Sequence, residues 1–159
     1  MHGKIAVIIL HWGEKERTAA CLSSVKKMNI PKDWGVEILV VDNGTENSEY
    51  FKKYSEITLV SNKKNLGWAG GNNTGITLAM RNNPAYIFLL NNDVEIDPEC
   101  VTRLVTALSS KKTIGIVGPK TYYMDKRDII ADAGGVIQTH RYFGSNRGQG
   151  EKDIGQYNK

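Results

Sequence analysis

Tyr86-Ile87-Phe88-Leu89-Leu90-Asn91-Asn92-Asp93 decides how this chain reads. It is a short apolar run that ends abruptly in two amides and a carboxylate. Val36-Glu37-Ile38-Leu39-Val40-Val41-Asp42-Asn43-Gly44 has the same form. Apolar runs of this length, rich in β-branched residues, predict buried strands. Two such strands, each delivering an Asp at its carboxyl end, predict a site at one edge of a parallel sheet. Ligands of open α/β sheets bind outside those ends.

Working outward, Ile5-Ala6-Val7-Ile8-Ile9-Leu10 predicts an opening strand over residues 4–11, and Ile57 to Ser61 a further short one. Helices are expected over 14–28, weakly over 46–54, over about 71–81 and over 97–110. Asp97-Pro98-Glu99 starts the last of these with a capping Asp, then Pro at the first helical position and an acid in the first turn. Ile114 to Val117, closed by Gly118-Pro119, predicts another strand. Strands alternating with helices predict an α/β domain with a mostly parallel sheet flanked by helices. The pattern weakens beyond Lys120. The expected division is a ligand-binding domain over 1–137 and a polar, Gly-rich, mobile tail over 138–159, where Tyr142-Phe143 is the one apolar signal.

The 159 residues suffice for one domain with a core. A net charge of +4 fits a phosphate-bearing ligand or an anionic surface, and equally a soluble surface with spare lysines. The lysines are dispersed and no nucleic-acid-binding module is recognisable, so nucleic acid is not expected as a partner. No stretch is long and apolar enough to span a bilayer, and the opening residues run straight into a strand without a secretory signal. Cys21 and Cys100 have neither disulfide-framework nor metal-site spacing. They are expected as reduced residues in helices, with a cytoplasmic location.

The Gly-rich segment Asn65-Leu66-Gly67-Trp68-Ala69-Gly70-Gly71-Asn72-Asn73-Thr74-Gly75 precedes a predicted helix, where backbone N–H groups could face a phosphate. Its spacing is not the dinucleotide fingerprint, and the chain has no P-loop. Its glycines admit two readings: direct ligand contact, or a tight turn with close helix–sheet packing. Asp93 is the stronger candidate. A carboxylate among small polar residues at a strand end can hold a hard divalent cation shared with substrate phosphates. Asp97 fits the capping role better, which leaves Asp93 free. Asp42-Asn43-Gly44 is also a common turn sequence, and only its place at a second strand end favours function.

These pieces together resemble the family 2 glycosyltransferases, which have the GT-A nucleotide-diphospho-sugar transferase fold, and most closely their bacterial rhamnosyltransferase-like branch. The resemblance rests on the opening strand with His11-Trp12, on Val40-Val41-Asp42-Asn43-Gly44-Thr45, on the Gly-rich segment, and on Leu90-Asn91-Asn92-Asp93, which stands where relatives have Asp-x-Asp. Gly115-Ile116-Val117-Gly118-Pro119-Lys120 adds to it. The resemblance implies that Asp42 bonds the nucleotide base and that Asp93 ligates a magnesium or manganese ion on the diphosphate. Asn91 stands at the first Asp of the motif, beside Asn92. His11 and Trp12 border the base, while Asn65, Gly67 and Asn72 shape the wall near ribose and phosphates.

The implied reaction is inverting transfer of a sugar from a nucleoside-diphosphate sugar, dTDP-rhamnose or a UDP-sugar, to a hydroxyl of a cell-surface glycan or lipid-linked acceptor. Family members generally continue further, through an acceptor-binding half that carries the general base. Here Glu95, Asp125, Asp132 and His140 are candidates for that base by residue type only. The chain is therefore expected as the donor-binding half, forming a homodimer or keeping a disordered tail, and lying in the cytoplasm at the membrane periphery. A nucleotide-sugar-binding module without turnover is the alternative. A nucleotidyltransferase fits less well, because His11-Trp12-Gly13-Glu14-Lys15 is a poor match to the basic Gly-rich loop of that class.

Overall fold

The computed structural model describes residues 3–138 and 143–158. They divide into two compact units, Met1–Thr102 and Arg103–Lys159.

The first unit is built on a four-stranded parallel sheet. Its strands are β1 (Gly3–His11), β2 (Trp34–Asp42), β3 (Ile57–Ser61) and β4 (Tyr86–Asn91), in the order β3-β2-β1-β4. Helices α1 (Lys15–Val25), α2 (Ser48–Phe51) and α3 (Gly67–Ala79) make the crossovers. Both faces of β1 are covered, which is why its sequence is a continuous apolar run rather than an alternating one. Ala6, Ile8 and Leu10 join Leu39, Val41 and Ala79 in one core cluster, with Ile76, Leu78, Ile87 and Leu89 packed against it. Cys21, Leu22 and Val25 of α1 and Phe51 of α2 are likewise buried.

The chain runs outward from β1 through β2 to β3, then returns to the other side of β1 as β4. The strand order therefore reverses between β1 and β4. That is the topological switch point, where a crevice opens at the carboxyl ends of the strands. The register fixes what stands there: His11 pairs with Asp42, and Leu10 with Asn91.

Two expectations from the sequence are corrected. Helix α3 begins at Gly67, not near Gly71, so most of the Gly-rich segment is helical. A Cβ on Gly71 would lie 2.5 Å from Leu10 Cδ1, and one on Gly75 2.6 Å from Ile8 Cγ2 and 2.9 Å from Val41 Cγ2. Those glycines let the helix lie close on the sheet, and this tertiary gain outweighs glycine's poor helix propensity. Ile114–Val117 forms no strand among the described residues, and Ile116 is 92% exposed. An apolar run becomes a strand only where a neighbour accepts its backbone hydrogen bonds.

Helix α4 (Cys100–Ser110) crosses the division between the units. Asp97 starts it as a turn residue: its Oδ1 accepts from the Glu99 N–H at 2.8 Å and its carbonyl from the Cys100 N–H at 2.9 Å.

The second unit contains β5 (Thr121–Tyr122) paired with β6 (Ile130–Asp132), and β7 (Gly135–Gln138) paired with β8 (Phe143–Asn146). The β7–β8 hairpin spans the division expected near residue 138. Backbone bonds between Ala133 and Arg147 and between Ile130 and Glu151 tie the later segment to β6. Asp153 accepts from Lys120 Nζ and Tyr122 OH, both at 2.5 Å. Those donors pull its carboxyl down to about 2. His140 and Tyr142 lie outside the described residues.

Candidate functional site

Three strand ends meet at the carboxyl edge, and each sends out a loop of different character. The β2 loop is closed on itself. Asp42 is 1% exposed. Its Oδ1 accepts from the Thr45 backbone N–H at 2.9 Å and the Thr45 hydroxyl at 2.6 Å, and its Oδ2 accepts from the Ser48 hydroxyl. The carboxylate therefore organises the turn into α2, the second of the two readings open for Asp42-Asn43-Gly44.

Asn43 is also buried, and it clamps the neighbouring loop. Its Nδ2 donates to Asn65 Oδ1 at 3.0 Å and to the Gly67 carbonyl at 3.2 Å, while its Oδ1 accepts from Asn62 Nδ2 and the Leu66 N–H, each at 3.1 Å. Gly44 makes the clamp possible. It adopts φ +81°, and a Cβ there would lie 2.2 Å from the Lys64 carbonyl carbon. Asn65 Oδ1 also accepts from the Gly67 N–H at 2.7 Å, fixing the entry to α3. Asn43 was absent from the residues expected at the site, although its motif is plain in the sequence.

His11 ends β1 fully buried. Its Nδ1 lies 2.7 Å from the Thr18 hydroxyl, its Nε2 3.4 Å from Asn47 Nδ2, and its ring stands edge-on to Phe51 at 4.7 Å. Burial lowers its pKa below 6.5, against the opposing pull of the Asp42 charge. Since Asn47 Nδ2 is a donor, the neutral ring accepts at Nε2 and donates from Nδ1 to Thr18. Asn92 Nδ2 donates to the same hydroxyl and to the Trp12 carbonyl, each at 3.0 Å. Asn47, His11, Thr18 and Asn92 thus form one chain of hydrogen bonds that ties the ends of β1 and β4 together. His11 and Asn92 serve here as internal supports.

The open side of the edge is formed by Trp12, Trp68, Asn91 and Asp93. Trp12 is 61% and Trp68 59% exposed. The Trp68 indole N–H donates to Asn91 Oδ1 at 2.8 Å. Asp93 is exposed, and no donor among the described residues hydrogen-bonds its carboxylate. Its charge is felt by the buried Cys21 thiol, which burial first and Asp93 second push up to about 12. Asn72 is buried on α3, one turn beyond Trp68. Its Nδ2 donates to the Trp68 carbonyl at 2.9 Å, but its Oδ1 has no partner among the described residues. An unsatisfied buried acceptor costs about 1–3 kcal/mol. Among the described residues no three His, Cys, Asp or Glu side chains cluster as a metal cage. The oxygen donors on the open side are the Asp93 carboxylate and the Asn91 amide oxygen already held by Trp68.

Residues 6–155 match the family described as glycosyl transferase family 2. The chain belongs to that family. No curated protein matches it. Among solved structures it is similar to S. aureus TarS 1-349, with 16% identity over 79% of this chain and 44% of that one, at a TM-score of 0.56. The mannosyltransferase PcManGT from Pyrobaculum calidifontis, solved with GDP-Man and Mn2+, is similar over 72% of this chain and 34% of its own, with 19% identity and a TM-score of 0.55. TarS 1-349 in complex with UDP-GlcNAc gives 16% identity, 79% and 42% coverage, and a TM-score of 0.55. At these identities the likeness establishes the fold, which is GT-A. The chain spans less than half the length of these solved relatives.

Proposed function

We propose that this chain is the donor-binding part of an inverting glycosyltransferase that holds a nucleoside-diphosphate sugar in the crevice between the ends of β1 and β4. The observation that carries this reading is the Asp93 carboxylate. It stands exposed at the switch point with no hydrogen bond of its own among the described residues, at the same sheet edge as two solvent-exposed tryptophans. A carboxylate left free at a sheet's ligand edge, while its counterpart Asp42 is fully engaged, is poised for something outside the protein. Solved neighbours of the same fold carry GDP-Man and UDP-GlcNAc, which supports a nucleotide-sugar ligand here.

The donor set fits a hard divalent cation of a particular kind. One free carboxylate suits magnesium or manganese that takes its remaining ligands from phosphate oxygens and water. An ion bound there through Asp93 would supply positive charge against the departing diphosphate. Asp93 holds the cation, the Asn47–His11–Thr18–Asn92 chain fixes the backbone beneath it, and Trp12 and Trp68 offer flat apolar faces to the base or sugar. The donors that the family resemblance favours are dTDP-rhamnose, as in the rhamnosyltransferase-like branch, or a UDP-sugar. The acceptor is a hydroxyl of a surface glycan or its lipid-linked precursor, reached from the cytoplasm at the membrane periphery. In this reading 1–137 binds the donor, and the later segment leads towards the acceptor side.

Displacement at a sugar carbon needs a base near the acceptor hydroxyl. Asp132, one of the four candidates, already accepts from the Gly134 N–H through Oδ1 at 2.7 Å. The second reading is a module that holds a nucleotide sugar without transferring it. Titration with UDP, dTDP and GDP, with and without manganese, tests the shared core of both, with Trp12 and Trp68 fluorescence as the reporter. Manganese-dependent binding of one nucleotide is expected; binding of none refutes the donor site. Turnover with a glycan acceptor separates the two readings.

A further inference from the structure

Asn47 stands at the position that caps α2, where Asn is among the favoured residues, yet its side chain makes no cap bond there. The amide is turned the other way. Its Nδ2 donates to the Gly13 carbonyl at 3.2 Å and lies 3.4 Å from His11 Nε2. One amide nitrogen thus bridges the end of β1 and the turn that follows Trp12. The Asn47 backbone N–H is held by the Thr45 hydroxyl at 3.2 Å, and that hydroxyl donates to Asp42. Packing does not wedge the turn after Trp12. Gly13 adopts φ +84°, and a Cβ there would meet nothing within 4 Å. Two side-chain amides tie this turn instead, Asn92 to the Trp12 carbonyl and Asn47 to the Gly13 carbonyl.

We propose that Asn47 is a positioning residue for Trp12, and that it holds the Gly13 carbonyl only while the His11 ring is neutral. That Trp12 meets the ligand rests on the donor-site reading; its dependence on His11 does not. The switching step is the uptake of one proton from solvent. A neutral ring accepts at Nε2 from the Asn47 amide, whose second hydrogen goes to Gly13. The added proton makes Nε2 a donor, so that two donors face each other. Turning the Asn47 amide over puts Oδ1 against the Nε2–H and repairs that contact. The same rotation sets Oδ1 against the Gly13 carbonyl, acceptor against acceptor, and the tie to the turn is lost. Asp42 on β2 is the charged group whose field reaches the ring, and it opposes the burial that disfavours the proton. Thr18 meets the ring from α1, Phe51 from α2 and Asn47 from the turn before α2. Neither they nor Asn92, which reaches Thr18 from the β4 loop, carries a charge. Burial prevails, so the ring takes its proton below pH 6.5.

NMR of the unliganded chain between about pH 4.5 and 8 reads both partners, with His11 and Trp12 assigned through His11→Asn and Trp12→Phe. The Trp12 indole N–H resonance is expected to move together with the His11 ring resonance, at one shared midpoint below 6.5. Asn47→Ala should leave the Trp12 resonance at its acid position at every pH. Asn47→Asp keeps the side chain's size but offers Gly13 no donor. Trp12 should again stay at its acid position, while the new carboxylate raises the His11 midpoint. Binding of UDP with manganese reads the consequence. Above the midpoint, Asn47→Ala is expected to bind about two- to tenfold more weakly than the unaltered chain, the range of one net hydrogen bond. Below the midpoint that difference should close, and the ratio of the two affinities cancels the ligand's own titration. A Trp12 resonance that ignores the His11 titration, or an affinity difference that is equal on both sides of the midpoint, overturns the proposal. UDP bound by neither protein, with Trp12 still following His11, refutes the donor-site reading and leaves the coupling of Trp12 to His11 in place.

Discussion

The loops after β2 and β4 begin from nearly the same letters, Asp42-Asn43-Gly44 and Asn91-Asn92-Asp93, and finish in opposite states. After β2 the carboxylate is buried and takes three hydrogen bonds from its own turn. After β4 the carboxylate is exposed and takes none among the described residues. The order of residues explains the contrast. Asp42 is the last residue of its strand, so its side chain stays under the loop that leaves the sheet, and Thr45 and Ser48 follow at the right distance to reach it. Asp93 lies two residues beyond its strand's last residue, and the amides before it do the internal bonding. Asn91 receives Trp68, and Asn92 donates to Trp12 and Thr18. One loop spends its acid on folding and the other keeps its acid free.

If that contrast is right, variants of the β2 loop are felt in stability, and variants at Asp93 in binding. The largest effect belongs to Gly44→Ala. It forces a side chain into a left-handed backbone and places a Cβ 2.2 Å from backbone of the adjoining loop. A loss of at least ~4 kcal/mol in urea denaturation is expected. A loss below 1 kcal/mol would mean that loop 62–66 is not clamped as described. Asp42→Ala comes next. It leaves the Thr45 and Ser48 donors without their acceptor, and roughly 3 kcal/mol should be lost. Unchanged stability with lost nucleotide binding would reverse the comparison and return Asp42 to a ligand role.

Gly75→Ala is expected to cost less, about 1–2 kcal/mol. The added methyl collides with Ile8 and Val41, whose branched side chains cannot turn away. Alanine's better helix propensity offsets roughly 1 kcal/mol of that strain. A stabilised variant would show that α3 can lift from the sheet, and would reopen ligand contact as the reason for these glycines.

How much of this was legible from the sequence follows the range of the interactions. The four parallel strands were readable because each is a local apolar run. So was the edge at which Asp42 and Asp93 emerge. The start of α3 was not, because Gly67-Trp68-Ala69-Gly70-Gly71 has loop composition, and only the sheet beneath it makes the glycines useful in a helix. The burial of His11 was equally hidden. It depends on Thr18, Asn47 and Phe51, which reach it from two different helical segments. The Trp68–Asn91 contact joins residues 23 apart in sequence. Ile114–Val117 shows the reverse failure, a strand-like run with no partner strand among the described residues.

His11 supplies a smaller effect on the same structural side. Its folded pKa lies below the ordinary 6.5, chiefly because of burial. The unfolded chain therefore binds more protons than the folded one as pH falls below about 6.5, and folding stability declines through that window. The decline ends once pH has passed the lowered folded value. Protonation would also turn Nε2 into a donor facing the Asn47 amide donor. His11→Asn should flatten the pH dependence of the urea midpoint between pH 6.5 and the acid limb, to about the level set by the carboxylates alone. An unchanged slope would mean that the ring is not held neutral in the network.

Asp93→Ala should have the smallest effect on stability and is the sharpest test of the contrast. The side chain is exposed and gives up no hydrogen bond among the described residues, so denaturation should move by less than ~0.5 kcal/mol. Manganese-dependent nucleotide binding should disappear, because Asp93 is the carboxylate that the reading gives to the cation, and among the described residues no three His, Cys, Asp or Glu side chains group as a metal site in its place. Metal-dependent binding that survives the substitution would deny Asp93 the cation. A destabilised protein would show that the β4 loop, like the β2 loop, uses its acid to fold.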